Sequence, residues 1–178
     1  VAGAHDMALN HPDAVVRKQN QAFVDLMIPI VKGWSTEIGI EVASTGIQVH
    51  GGMGYMEETG AAQYLRDSRI STIYEGTTAI QANDLIGRKM AREGGATFKV
   101  VIGRMRALDA ELAGPNNEHL AAIRRRFAAG VDALNRAGEW IVATYFTDVR
   151  AASAGAVPFL TLFGIVAGGW QMARAALV

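Results

Sequence analysis

Apolar residues recur three and four positions apart along most of this chain, and no convincing stretch alternates with a period of two. The first spacing gathers apolar side chains on one face of a helix, and the second would gather them on one face of a strand. The predicted fold is therefore all-α, an up-and-down helical bundle with additional helices. With 178 residues and an apolar fraction of 50%, the chain can fill a core shared by several such helices.

Over residues 14–26, Val15, Phe23 and Leu26 share an amphipathic helix with Arg17, Lys18 and Asp25. Pro29 and Gly33 are expected to weaken or bend it, and Ser35-Thr36-Glu37 to restart it. Ile38, Val42, Thr45 and Val49 carry the helical spacing on to Gly51-Gly52, which ends it as a glycine cap. Residues 53–60 read as an irregular loop, residues 61–66 as a short helix, and residues 67–76 as a second connection. Thr78-Ala79-Ile80-Gln81 has the capping-box pattern and opens a helix to about Met90. Gly94-Gly95 then punctuates, and a boundary over residues 92–96 divides the chain into residues 1–91 and 92–178. Three helices are predicted beyond it, over residues 98–112, 118–150 and 158–177. The first of them stops at Gly114-Pro115-Asn116-Asn117.

Lysine plus arginine equals aspartate plus glutamate at 17 each, which removes the basic footprint of a general nucleic-acid binder. There is no cysteine, hence neither a disulfide framework nor thiolate chemistry. His5, His11, His50 and His119 are scattered without metal-ligand spacing, and no metal is predicted. The first residues have neither the basic nor the apolar region of a signal peptide, and with no initiator methionine the chain reads as a piece of a longer one. Residues 151–173 lack charge, but Gly155, Pro158, Gly164, Gly168 and Gly169 interrupt them and no basic cluster flanks them. A helix buried between other helices, with no membrane span, is the expectation.

Chemistry concentrates in Ile73-Tyr74-Glu75-Gly76-Thr77-Thr78. Glu75 stands between an apolar-aromatic pair and a glycine turn that opens a helix. A carboxylate kept from water there has its pKa raised toward that of a general base, while the helix N-terminus pulls the other way. On residue chemistry alone, a loop carboxylate stabilising the next helix terminus is the plainer reading. Upstream, Gln48-Val49-His50-Gly51-Gly52-Met53-Gly54-Tyr55 is a glycine-rich loop where bare backbone can approach a ligand closely. The two segments together read as one site. Arg66-Asp67 reads as a partly buried pair pinning a loop. Tyr55, Tyr74, Met53 and Met56 serve equally as cavity wall or as packing.

Those two segments and Leu65-Arg66-Asp67-Ser68-Arg69-Ile70, in this order and at these separations, resemble the acyl-CoA dehydrogenase family. Residues 20–91 are similar to the carboxy-terminal helical domain of these flavoenzymes, and residues 92–178 to the helical extension of the longer members. The resemblance implies α,β-dehydrogenation of an acyl-CoA thioester to the trans-2-enoyl-CoA, with FAD as hydride acceptor and Glu75 as the base for the α proton. It implies that the backbone N–H of the base helps polarise the thioester carbonyl, a kind of donor worth about 3 kcal/mol.

The same resemblance assigns Gln48, Gly51 and Gly52 to the FAD of a neighbouring subunit, Thr77 to the cofactor, and Tyr74 and Gly76 to substrate. Ala79 stands where many relatives carry a polar amide, which removes one side chain from the implied flavin contacts. Further expectations are a homodimer or homotetramer, electron-transfer flavoprotein or a similar acceptor as partner, and the bacterial cytoplasm, or else the mitochondrial matrix, as location. The isolated chain is expected to be inactive and not to retain FAD. An acyl-CoA oxidase with the same base and flavin, or a non-catalytic helical assembly module, are the competing readings.

Overall fold

A computed structural model describes residues 1–114 and 117–178, which form helices joined by turns and short connections, with no strand among the described residues. Nine α-helices follow in chain order: α1 (Ala2–Asn10), α2 (Ala14–Val49), α3 (Gly52–Tyr55), α4 (Ala61–Arg69), α5 (Thr78–Asp84), α6 (Ala96–Ala113), α7 (Glu118–Thr144), α8 (Val149–Ala154) and α9 (Ala156–Ala175). The all-α bundle predicted from the spacing is the observed architecture. The sequence did not announce α1, and of the predicted stop before α7, Pro115 and Asn116 lie outside the described residues.

The main departure from expectation is α2, a single helix of 36 residues that runs through Pro29 without a restart at Ser35. Interior proline costs about 3 kcal/mol. Its neighbours Leu26, Met27 and Ile30 are all buried in the core, and each such side chain contributes roughly 1.5–3 kcal/mol. Burial on that scale outweighs the missing hydrogen bond, so packing overrides the local breaker. At the helix start Asp13 supplies the cap, accepting from the Val15 N–H at 2.7 Å.

Smaller corrections follow the same logic. Residues 53–60 are not loop: α3 and a 3₁₀ turn, Glu57–Thr59, occupy them. Helix α4 runs on to Arg69 and passes into a 3₁₀ turn at Ile70–Thr72. Helix α7 ends at Thr144 rather than 150, and α8 is separate, capped by Asp148 on the Ala151 N–H. Helix α5 continues as a π-helical stretch, Leu85–Met90, in which Leu85, Ile86 and Met90 are fully buried.

The core joins the two halves of the chain. Leu26 and Ile30 of α2 pack with Phe98 and Val101 of α6, Leu134 and Ile141 of α7, and Phe159 and Phe163 of α9. The Phe98 and Phe163 rings meet edge to face at 5.6 Å, a geometry favoured by the ring quadrupoles. Helix α9 is apolar and long enough to cross a bilayer, with mean hydropathy 1.4. It nevertheless presses Phe159, Leu160, Phe163 and Gly164 into this core against α2, α5 and α7. That is the helix between helices expected of it. A smaller cluster of Leu108, Leu112, Leu120 and Ala173 closes the far end.

Candidate active site

Glu75 sits in a tight connection between the Ile70–Thr72 turn and α5, and this connection is fastened to the middle of α2. Lys32 Nζ donates to the Ser71 carbonyl and lies 4.9 Å from the centre of the Tyr74 ring. Thr78 Oγ1 donates to Glu37 Oε1 at 2.5 Å. Gln81 Nε2 donates to the Glu75 carbonyl at 3.3 Å. The capping box predicted from Thr78 and Gln81 does not form: Thr77 is the cap position, with no side-chain bond of its own. Both expected partners are engaged elsewhere, the threonine by α2 and the glutamine by the turn.

Among the described non-glycine residues, only Glu75 has a positive φ, at 54°. That conformation is unfavourable for a residue with a Cβ and persists where surrounding contacts fix it. Gly76 follows at φ 99°, and a Cβ there would stand 2.6 Å from Gln81 Nε2. Within this chain the Glu75 side chain is exposed, and Ile73 and Tyr74 each keep 50% of their surface open. The apolar pair therefore does not shield the carboxylate from water within this chain. Beside the turn, Glu37, Ile40, Arg69, Thr72, Ile73 and Thr77 border a groove of about 390 Å³. Thr77 and Ala79 are exposed on its rim.

The glycine-rich segment lies at the far end of α2. Gly51, fourteen residues beyond Glu37, is about 20 Å away along the helix at 1.5 Å per residue. The two segments read as one site in the sequence are thus separate within one chain. Gly51 has φ 61° and ψ −147°, close to a region that essentially only glycine enters. Nothing lies within 4 Å of a Cβ placed on Gly51 or Gly52, so their exposed backbone is open to an incoming group. Gln48 is exposed beside them.

Behind this bend Gly54 is buried, and a Cβ on it would overlap the Ile47 carbonyl oxygen. A groove of about 470 Å³ runs past Ile47, Tyr55, Met56, Glu58, Leu65 and Arg66. The expected Arg66–Asp67 pair is absent. Arg66 makes a two-pronged bond to Glu57 at 3.0 and 2.8 Å, and Asp67 accepts from Gln63 at 2.7 Å. Gln63 and Asp67 are one helical turn apart, Arg66 reaches back to the preceding 3₁₀ turn, and the side chains of adjacent positions diverge.

Another groove, about 700 Å³ between the starts of α2 and α6, is lined by Val15, Lys18, Phe23, Val100 and Arg104. It holds no acid and touches neither motif. Among the described residues no three histidine, aspartate or glutamate side chains gather as a metal site. Lys32 escaped the sequence reading, and Glu37 was read there only as part of a helix restart. Both act on residues about forty positions away, and no local pattern marks that role.

Comparison with known proteins completes the picture. The model of the acyl-CoA dehydrogenase C-terminal domain matches residues 5–90, and that of the acetyl-CoA dehydrogenase C-terminal-like region matches residues 101–178. A 3-methylmercaptopropionyl-CoA dehydrogenase of Ruegeria pomeroyi is 46% identical over 178 residues, 97% of this chain and 29% of that protein. The chain belongs to the acyl-CoA dehydrogenase family. A broad-specificity linear acyl-CoA dehydrogenase of Mycobacterium tuberculosis is 33% identical over 86% of the chain and 26% of its own length. A caffeyl-CoA reductase–Etf complex subunit of Acetobacterium woodii is 40% identical over 29% of the chain and 14% of its own length. The present acyl-CoA dehydrogenase region thus spans under a third of the curated relatives it matches.

Proposed function

We propose that this chain is the carboxy-terminal part of an FAD-dependent acyl-CoA dehydrogenase, with Glu75 as catalytic base. The observation that carries the reading is the left-handed backbone of Glu75, since strain of this kind gathers where a side chain must be aimed. Glu75 takes the α proton of an acyl-CoA thioester, and its backbone N–H faces the carbonyl oxygen where negative charge develops. FAD, when bound, supplies the acceptor for the β hydride. Tyr74 and Gly76 line the acyl side of the turn, and Thr77 lies on the cofactor side. Exposure of Glu75, Ile73 and Tyr74 in this chain supports a cavity closed by the rest of the parent protein.

The residues present fit a dinucleotide in part. Gly51 and Gly52 offer backbone with open space where a side chain would stand, which suits a pyrophosphate. Gln48 adds an amide beside them. Because this bend lies about 20 Å of helix from the Glu75 turn, the two serve different flavins, one in each of two subunits. A homodimer or homotetramer follows. Residues 1–91 form the family's helical domain and residues 92–178 its extension. The Etf-complex relative supports electron-transfer flavoprotein as acceptor, and a bacterial cytoplasmic setting is proposed with it. The 178-residue chain alone is expected to be inactive and to be purified without flavin.

The deciding experiment uses the full-length protein and a panel of acyl-CoAs that includes 3-methylmercaptopropionyl-CoA. Glu75→Gln should keep FAD yet lose flavin bleaching by every substrate. Undiminished bleaching would remove Glu75 from the mechanism. Stoichiometric hydrogen peroxide from the wild type under air would instead make the enzyme an oxidase.

A further inference from the structure

We infer that Lys32 and Gln81 are positioning residues for Glu75, clamping from both sides the turn that aims its carboxylate. The inference rests on the reading of Glu75 as the base and names what holds that base in place.

On the upstream side, Lys32 reaches across from α2 to donate to the Ser71 carbonyl, and its ammonium lies 4.9 Å from the Tyr74 ring centre. One side chain thereby grips both the 3₁₀ turn and the residue immediately before Glu75. Among the described residues no carboxylate forms an ion pair with Lys32. Its charge is spent on a carbonyl dipole and an aromatic face, both of which attract a cation. On the downstream side, the Gln81 amide donates to the Glu75 carbonyl at 3.3 Å. The same nitrogen would stand 2.6 Å from a Cβ on Gly76. The amide therefore lies beneath the Glu75–Gly76 peptide, and only glycine at position 76 admits it.

The two ties bracket the one described non-glycine residue with positive φ. A left-handed backbone of this kind relaxes unless its neighbours over-determine it. With both ties intact, the carboxylate and the N–H of Glu75 keep one orientation. With either tie cut, the turn samples others, and the reacting distance is lost for a fraction of the time. Proton abstraction should suffer more than binding, because it alone needs the carboxylate held at reacting distance, whereas Tyr74, Gly76 and Thr77 on the same turn can make their contacts more loosely.

The test compares Lys32→Met, Lys32→Arg, Gln81→Leu and Glu75→Gln in the full-length flavoenzyme. Amide hydrogen exchange over residues 70–78 should quicken by about tenfold or more in Lys32→Met and Gln81→Leu, with α6 and α7 unchanged. Single-turnover flavin bleaching should slow by about tenfold or more in both, at unchanged flavin content and nearly unchanged KM. Lys32→Arg, which keeps the cation, should recover most of both losses. Unaltered exchange over residues 70–78 in Gln81→Leu and Lys32→Met overturns the clamp. Should Lys32→Met fail to fold, Gln81→Leu and Lys32→Arg decide by the same criteria. Full bleaching by Glu75→Gln would defeat the base assignment alone, leaving exchange to judge the clamp.

Discussion

Trp34 occupies the space that a side chain at Gly164 would need. A methyl group at Gly164 would overlap the indole Cγ and stand 2.7 Å from the tryptophan Cβ. This contact brings α9 against α2 and so ties the second half of the chain to the helix that carries Lys32 and Glu37. The next glycines along α9 grade outward: a Cβ on Gly168 would meet Trp34 at 3.1 Å, and one on Gly169 would meet nothing within 4 Å. Overpacking of a filled interface costs about 1–3 kcal/mol, so Gly164→Ala should lower Tm by roughly 2–10 °C for a chain of this size. Gly169→Ala, on an open helical surface, should gain up to about 1 kcal/mol from helix propensity. Thermal unfolding of the two variants side by side checks the pair, and equal Tm shifts would contradict the contact.

The α6–α7 hairpin carries a pH-sensitive tie. Arg124 Nε and Nη2 each bond the Asp109 carboxylate at 2.7 Å. That guanidinium, chiefly through the hydrogen bonds, holds Asp109 below the usual carboxylate value of 3.8 and raises Arg124 in turn. A carboxylate depressed in the folded state adds stability above its unfolded pKa and loses it as pH falls through the folded one. The Tm difference between wild type and Asp109→Asn should thus be constant near neutrality and shrink only below about pH 4. Because the pair is half-exposed, salt should shrink it as well. A difference that widened on acidification would refute the assignment.

The helices were legible because their apolar spacing is long and regular, and the glycine pairs at 51–52 and 94–95 mark real ends. Pro29 misled because a local rule was weighed without the burial of Leu26, Met27 and Ile30, which only the fold supplies. The capping box at Thr78 failed for a related reason. Glu37, distant in sequence, competes for the hydroxyl. At the site, the Glu75 turn and the glycine bend were visible as motifs. Their separation was not, because it depends on whether one helix or two joins Pro29 to Gly51.

The turn itself separates stability from chemistry. Gly76 has φ 99°, and a Cβ there would push the Gln81 amide aside, so Gly76→Ala should cost about 1–3 kcal/mol, chiefly from backbone strain, and break the Gln81 bond. Glu75 at φ 54° is the opposite case. Glycine there relieves roughly 1 kcal/mol of left-handed strain while adding a comparable freedom to the unfolded chain. Glu75→Gly should accordingly leave Tm nearly unchanged, although it removes the proposed base. Chemical denaturation of both variants provides the check, and a large loss in Glu75→Gly would mean that its side chain stabilises the turn rather than reacts.

Flavin retention should depend on the bend at the end of α2. Gly51 combines φ 61° with ψ −147°, a conformation whose cost for any other residue is about 1–3 kcal/mol. It is followed by Gly54, packed so closely on the Ile47 carbonyl that a side chain cannot enter. Alanine at position 51 must either strain the bend or redirect the backbone that would face a pyrophosphate. Every 1.4 kcal/mol lost there weakens binding about tenfold. Full-length Gly51→Ala is therefore expected to be purified with substoichiometric FAD, measured from the ratio of flavin to protein absorbance. Helix α2 and the Glu75 turn should remain intact by hydrogen exchange. On the proposed assignment of the bend to a neighbouring subunit's cofactor, mixing Gly51→Ala with Glu75→Gln chains should yield hybrid oligomers in which one flavin site carries neither change. Such hybrids should bleach more per chain than the mean of the two parents. An absence of any such gain, with hybrids demonstrated by mass, would contradict the assignment of the two segments to different flavins.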